Sequence, residues 1–282
     1  MTRLDAKSKS SDVLPFEWQG QGDAVVFVHG YISDLRVWEN VRTQWAHAGR
    51  LYFPMLKGFG LPGVSPDFND FGTPEHLCQI VEFIESEVGG PAHLVGWSYG
   101  GALTLLLAAS RPDLVRSAYA FEAGLSDFIS DEAIASQIHR DRQKMAANAV
   151  AALADGDLDL AVEQIVDGAC ARNGVFADLK PQERQIFLDN AATVPVMFSG
   201  DGASSSQGVV SSVLTIQHPV TVYAGEYARP AYRLVADEAA RLIPSARRTQ
   251  LARGLHVAPV TTPAVFVTDV VAHLQSATGK EW

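Results

Sequence analysis

Cysteine is scarce in this chain: Cys78 and Cys170 are the only two in 282 residues. They stand far apart without metal-ligand spacing, which argues against a disulfide scaffold or a zinc module. Both are expected to be reduced thiols in or near the core, as suits a reducing compartment. Basic residues are the minority charge: 22 Lys and Arg face 32 Asp and Glu, for a formal net charge of −10. No stretch clusters Lys and Arg, which excludes nucleic acid as a partner, because phosphate backbones are bound by such clusters. No apolar run reaches the roughly 18–20 residues of a membrane span. Met1 to Val13 lacks the apolar centre of a secretory leader and reads as a disordered tail. The expectation is a soluble, cytoplasmic protein without internal repeats.

Apolar residues are plentiful, at 47% of the chain, enough for one substantial core. Short apolar runs at Ala24–Val28, Leu51–Phe53, Ala92–Val95, Ser117–Phe121 and Val220–Ala224 alternate with longer helical patterns. Such runs read as buried parallel strands, and the more polar Arg247–Leu251 reads as an outer strand. Helices are expected at Asp34–His47, Pro74–Val88, Tyr99–Ser110, Ala231–Leu242 and Pro263–Gln275. Thr73 before Pro74 and Thr262 before Pro263 look like N-cap and first-turn pairs. Between about Leu125 and Leu214 no strand pattern is found, and the chain turns Ala-rich and helical, with a polar Ser199–Ser206 loop. This implies an α/β fold with core segments 1–124 and 215–282 and a helical cap inserted at 125–214.

The chemistry concentrates at residues 94–101, Leu-Val-Gly-Trp-Ser-Tyr-Gly-Gly. A strand ends, Gly96-x-Ser98-x-Gly100 follows, and an apolar helix begins. A nucleophilic serine raised above strand ends needs a strained turn crowded by its neighbours, so the flanking positions must lack side chains. The helix behind it aims N–H groups at the place where an oxyanion forms. The strand Ala24–Val28 runs into His29-Gly30-Tyr31, and the amides of Tyr31 and Tyr99 are the expected oxyanion donors. His29 is read as a residue that fixes this loop. The general base is expected at His256, which follows both the serine and a late strand. His273 falls inside the last helix as a surface or packing residue, and His218 sits at the wrong end of its strand.

The acid is less direct. After Val220–Ala224 the turn reads Gly225-Glu226-Tyr227-Ala228-Arg229, so Ala228 occupies the position where an aspartate is expected. Glu122, at the end of the strand before the cap, is the favoured acid. Glu226 is the alternative, which otherwise reads as a turn residue paired with an arginine such as Arg229. Trp97 and Tyr99 flank the serine. Gly30, Trp97, Phe128, Met145 and Met197 are the candidate substrate contacts, with Phe176, Phe187 and Phe198 as further cap lining or core.

The segments VVFVHGY, HLVGWSYGG, RPDLVRSAYAFE, TVYAGE and Leu255-His256 together resemble the α/β-hydrolase superfamily from about Asp23 to Gln275. An acid on the strand preceding the cap is similar to the arrangement in zearalenone lactonases and some haloalkane dehalogenases. The dehalogenases use an aspartate nucleophile, which Ser98 replaces. The resemblance implies an α/β-hydrolase fold and hydrolysis of a carboxylic ester or lactone of an apolar small molecule, with no metal or organic cofactor. The same residues also suit a C–C bond hydrolase, a cofactor-free peracid-forming enzyme or a slow-turnover ligand sensor. A homodimer is left open.

Overall fold

A computed structural model describes residues 14–63, 71–198 and 211–282. The proposed N-terminal tail and the Ser199–Ser206 loop lie outside the described residues. The short apolar runs form one seven-stranded sheet: β1 (Phe16–Gln21), β2 (Ala24–Val28), β3 (Gly49–Pro54), β4 (Ala92–Trp97), β5 (Val115–Phe121), β6 (Val220–Gly225) and β7 (Ala246–Leu251). Their order is β1-β3-β2-β4-β5-β6-β7. Only β1 runs antiparallel, against β3. It was not foreseen, because its FEWQGQ sequence is half polar and none of it is fully buried. β4 and β6 are buried at every position, as strands covered on both faces must be.

The helices are α1 (Glu39–Gln44), α2 (Thr73–Phe83), α3 (Tyr99–Ser110), α4 (Glu132–Ala154), α5 (Leu158–Ala169), α6 (Val175–Asp178), α7 (Pro181–Asp189), α8 (Val194–Phe198), α9 (Pro230–Leu242), α10 (Ala258–Thr261) and α11 (Pro263–Thr278). The alternation of side chains along a strand divides the core. Leu94 and Val222 join the layer of Leu103 and Leu106 on α3, while Val95, Phe121 and Tyr223 join that of Phe266 and Val270 on α11. α3 sits almost wholly inside the protein. Its buried leucines contribute roughly 2 kcal/mol each.

Several local expectations are corrected. The helix expected over Asp34–His47 is shorter and split: the Asp34 carboxylate caps a 3-10 turn at Leu35–Trp38 by accepting the Arg36 N–H, and the short α1 follows. α2 includes Thr73, with Gly72 at its cap position. Thr262 does stand at the cap position of α11 with Pro263 in the first turn, but its hydroxyl bonds back to the Ala258 carbonyl instead of capping an N–H. Cys170 is buried, but Cys78 is exposed on the outer side of α2.

The five helices α4 to α8 all lie between β5 and β6. Gly156, at φ 78°, breaks the long amphipathic run, and the Asp157 carboxylate caps α5 through the Leu160 N–H. Polar groups tie the insertion down on both sides. Arg229, ahead of α9, holds Asp141 of α4 through two guanidinium nitrogens (3.1 and 2.9 Å), and Asp141 also accepts the Ala231 N–H. On the other side Asn190 donates to Asp34 (2.8 Å) and accepts the Gly60 N–H (2.6 Å).

A polar ladder crosses the sheet on the α11 side. Arg247 Nε can only donate, and it reaches Thr221 Oγ1 (3.0 Å). Thr221 is thus free to donate to His273 Nδ1 (2.8 Å), His273 Nε2–H to Ser117 (2.9 Å), and Ser117 to His93 Nδ1 (2.7 Å). Burial lowers the pKa of His273 to about 3 and of His93 to about 4, with Arg247 and Arg116 adding to the effect. Both imidazoles stay neutral in the fold where the unfolded chain, with a histidine pKa of about 6.5, takes up protons. Stability is therefore fully present above pH 6.5 and falls on acidification, by up to about 1.4 kcal/mol per pH unit for each histidine, levelling below pH 3–4. Urea denaturation at pH 7, 5.5 and 4.5 checks this, and a constant unfolding free energy across that range contradicts it.

Candidate active site

β4 ends at Trp97 and α3 begins at Tyr99, so Ser98 alone makes the turn. Its φ of 56° and ψ of −113° are costly for a residue with a side chain, by about 1–3 kcal/mol. The surroundings hold it there. Its N–H donates to the Phe121 carbonyl (2.9 Å), and its own carbonyl accepts the Ala102 and Gly124 amides (3.1 Å each). The flanking glycines are a steric requirement. A Cβ on Gly96 would stand 2.2 Å from the Gly100 carbonyl oxygen, and one on Gly100 would stand 2.1 Å from that of Val28.

One strand over, β5 ends in the same way. Glu122 also has a positive φ, 46°, and its N–H donates to the Tyr223 carbonyl (2.8 Å). Its side chain is fully buried, with Oε1 accepting the Gly225 N–H (2.8 Å) and Oε2 lying 2.7 Å from His256 Nδ1. Gly225 permits this convergence, since a Cβ there would stand 2.2 Å from the Gly254 carbonyl oxygen. Trp97 Nε1 donates to the His256 carbonyl (2.7 Å). The Tyr232 ring stacks on the imidazole with centroids 4.5 Å apart and planes at 8°.

Glu226 takes no part in this cluster. It is exposed, and its carboxylate accepts the Arg253 N–H (2.8 Å). The expected pairing with Arg229 is also absent, because that guanidinium is bound to Asp141. His29 holds the loop, as expected: Nε2 accepts the Leu56 N–H (3.2 Å), so Nδ1 carries the proton and donates to the Gly30 carbonyl (2.8 Å). Burial lowers its pKa. Tyr31, next in the loop, meets the Tyr99 ring edge-on at 5.3 Å.

Two cavities meet at Ser98. A small one of about 40 Å³ is bordered by Ser98, His256, Trp97 and Phe187. A larger one of about 330 Å³ is bordered by Ser98, Tyr99, Phe71, Leu106 and Arg142. Tyr31, Met145, Met197 and Tyr232 line both. Met145, Met197 and Trp97 thus stand where the sequence suggested, but Phe128 and Gly30 line neither cavity. Phe128 is packed into the core, and Gly30 lies under the Trp97 ring, which a Cβ would approach to 3.0 Å. Phe176 and Phe198 belong to the other core layer.

Sequence reasoning missed Tyr232, Arg142 and His76. His76, buried on α2, donates from Nε2 to the Lys57 carbonyl (3.2 Å) and accepts the Tyr99 hydroxyl at Nδ1 (2.7 Å). Burial lowers its pKa to about 4, so it stays a neutral acceptor. It fixes the side chain of the residue that follows Ser98. No sequence signal connects positions 23 residues apart on separate helices, beyond their both lying near strand ends.

A model of the alpha/beta hydrolase family matches residues 25–272. The chain belongs to that family. This alpha/beta hydrolase is 33% identical over 105 residues to a haloalkane dehalogenase of Bradyrhizobium diazoefficiens, covering 36% of the chain and 33% of the relative. It is 32% identical over 98 residues to a pimeloyl-[acyl-carrier protein] methyl ester esterase of Aeromonas salmonicida, covering 35% of the chain and 37% of the relative. These matches span only about a third of the curated relatives' length. The fold as a whole is similar to MenH from S. aureus, with a TM-score of 0.68 and 19% identity over 93% of this chain and 98% of that one. A thermophilic esterase from Thermogutta terrifontis is similar at a TM-score of 0.66 and 17% identity over 94% and 93%. Among the described residues no helix is long and apolar enough to cross a membrane.

Gly100→Ala is expected to cost about 2–3 kcal/mol of stability through overpacking against β2. A chemical-denaturation midpoint equal to that of the wild type contradicts the steric account of the turn.

Proposed function

We propose that this alpha/beta hydrolase cleaves a carboxylic ester or lactone of an apolar small molecule through an acyl-enzyme on Ser98. The observation that carries the reading is the His256–Glu122 pair, 2.7 Å apart and buried, beside the small cavity that Ser98 and His256 share. As a carboxylate, Glu122 only accepts hydrogen bonds, so His256 Nδ1 bears the proton and Nε2 keeps its lone pair for the serine. His256 takes the Ser98 proton as the oxygen attacks the substrate carbonyl. The amides of Tyr31 and Tyr99 stabilise the resulting oxyanion, at roughly 3 kcal/mol per donor. The proton then passes to the departing alkoxide; in a lactone that alkoxide stays attached to the acyl group. Water, deprotonated by His256, opens the acyl-enzyme and restores the serine.

Serine chemistry favours the esterase likeness over the dehalogenase one. A serine alkylated by a haloalkane would become an ether, which water does not reopen, whereas an acylated serine is an ester, which it does. The helices between β5 and β6 serve as the cap. Their Met145 and Met197 face the apolar space above the serine, and the thioether chains suit a site that adapts to its ligand.

Hydrolysis of short 4-nitrophenyl esters tests the assignment. Ser98→Ala is expected to abolish turnover. Glu122→Gln should lower kcat by roughly 10⁴-fold, since the wrong tautomer is then favoured, while Glu226→Gln stays within about twofold of wild type. Loss of activity in Glu226→Gln with retention in Glu122→Gln reverses the choice of acid. Full activity in Ser98→Ala overturns the mechanism.

A further inference from the structure

The larger cavity is mostly apolar, and it is bordered by one cation, Arg142, and one carboxylate, Asp127. Arg142 of α4 borders it together with Ser98, Tyr99 and Tyr232. Its guanidinium donates from Nη1 to Ser126 Oγ (2.8 Å) and from Nη2 to the Gly124 carbonyl (2.8 Å). Both acceptors lie in the loop that follows Glu122, and both are neutral. A guanidinium has five N–H donors, so these bonds leave donors over. Among the described residues no carboxylate lies within ion-pairing distance of Arg142. Asp141, its neighbour in the chain, is bound by Arg229 and the Ala231 N–H. Asp127 borders the same cavity and attracts Arg142 only at longer range.

A half-buried cation that Asp127 offsets only at longer range is unfavourable on the wall of a mostly apolar cavity, and an anion entering the cavity relieves it. Burial lowers the Arg142 pKa, with Tyr232 and Asp127 opposing the shift. A guanidinium fork matches a carboxylate in bidentate geometry. One Arg, with the Asp127 carboxylate on the same cavity wall, suits a singly charged carboxylate better than a phosphate dianion, which Asp127 would repel more strongly. The cavity volume of about 330 Å³ is at the small end for ligand sites, which run to roughly 300–1,000 Å³.

We propose that Arg142 sets substrate specificity by binding a carboxylate, so that the preferred substrate is an acidic ester or lactone with an apolar segment between its scissile carbonyl and its carboxylate. This deepens, and rests on, the reading of Ser98 as the nucleophile of an ester or lactone hydrolase.

The decisive comparison is between the mono-4-nitrophenyl ester of adipic acid and 4-nitrophenyl hexanoate, which match in length and differ in charge. Wild-type kcat/KM is expected to favour the acidic ester by about tenfold or more, mainly through KM. Arg142→Gln removes that preference. Ser126→Ala cuts the tether but keeps the charge, and retains it. No preference in the wild type, or an equal loss on both esters in Arg142→Gln, overturns the proposal. Should Arg142→Gln fail to fold, Arg142→Lys keeps the charge without the fork; its preference must fall between wild type and unity, and an unchanged one overturns the proposal. Calorimetry separates this subsite from the catalytic reading. Ser98→Ala should bind monomethyl adipate, and adding Arg142→Gln should abolish the binding heat. Absence of turnover on every ester rejects the catalytic reading alone, whereas equal binding by both proteins, or binding by neither, rejects the role of Arg142.

Discussion

The carboxylate of Glu122 is shared by three strand ends. One oxygen takes the Gly225 amide where β6 stops, and the other meets His256 in the loop beyond β7, while the residue itself closes β5. Hydrogen bonds to a buried charged group are worth about 1.5–3 kcal/mol each, and an unmatched oxygen there would cost as much. The positive φ of Glu122 and the absence of a side chain at Gly225 are local concessions to that arrangement. Ser98 stands one strand away and is bonded to the backbone on either side of Glu122, through the Phe121 carbonyl and the Gly124 amide. Strain at the serine and order at the histidine thus have a common support.

The insertion completes the site from the other side. Arg229 and Asp141 fasten α4 to the start of α9, the helix that carries Tyr232 over the imidazole. Asn190 fastens the end of α7 to Asp34 and Gly60. Met145 and Met197 lie on segments held by these ties and border a mostly aromatic and aliphatic space. The ties use buried or half-buried polar groups that are themselves satisfied, which fixes where the helices sit as well as adding stability. Arg142 lies beside the paired Asp141 and is left with a different task.

Much of the fold was legible because its signals are local. The apolar runs of β2 through β6 and the strand–turn–helix around Ser98 carry their own pattern, and β7 was readable as an outer strand. The choice of Glu122 came from Ala228 displacing an expected aspartate, and the geometry puts Glu122, and not Glu226, beside His256. What escaped depends on contacts between distant positions. β1 has no apolar pattern and owes its place to pairing with β3. His76 meets Tyr99 only because α2 packs near the head of α3, and Tyr232 stacks on His256 only once β6 and β7 are adjacent. Phe128 was misplaced because an aromatic residue at a cavity wall and one in a core look alike in sequence.

The pairing of His256 with Glu122 closes 134 residues of chain, including the whole insertion and strands β6 and β7. A contact so far apart in the chain carries the entropy of closing a long loop, which contacts within a helix or between neighbouring strands do not. During synthesis Ser98 and the partners that hold its turn, Phe121, Ala102 and Gly124, are made long before His256. Until that last stretch is made the serine lacks its base, and the proposed chemistry switches on only when the segment carrying His256 docks.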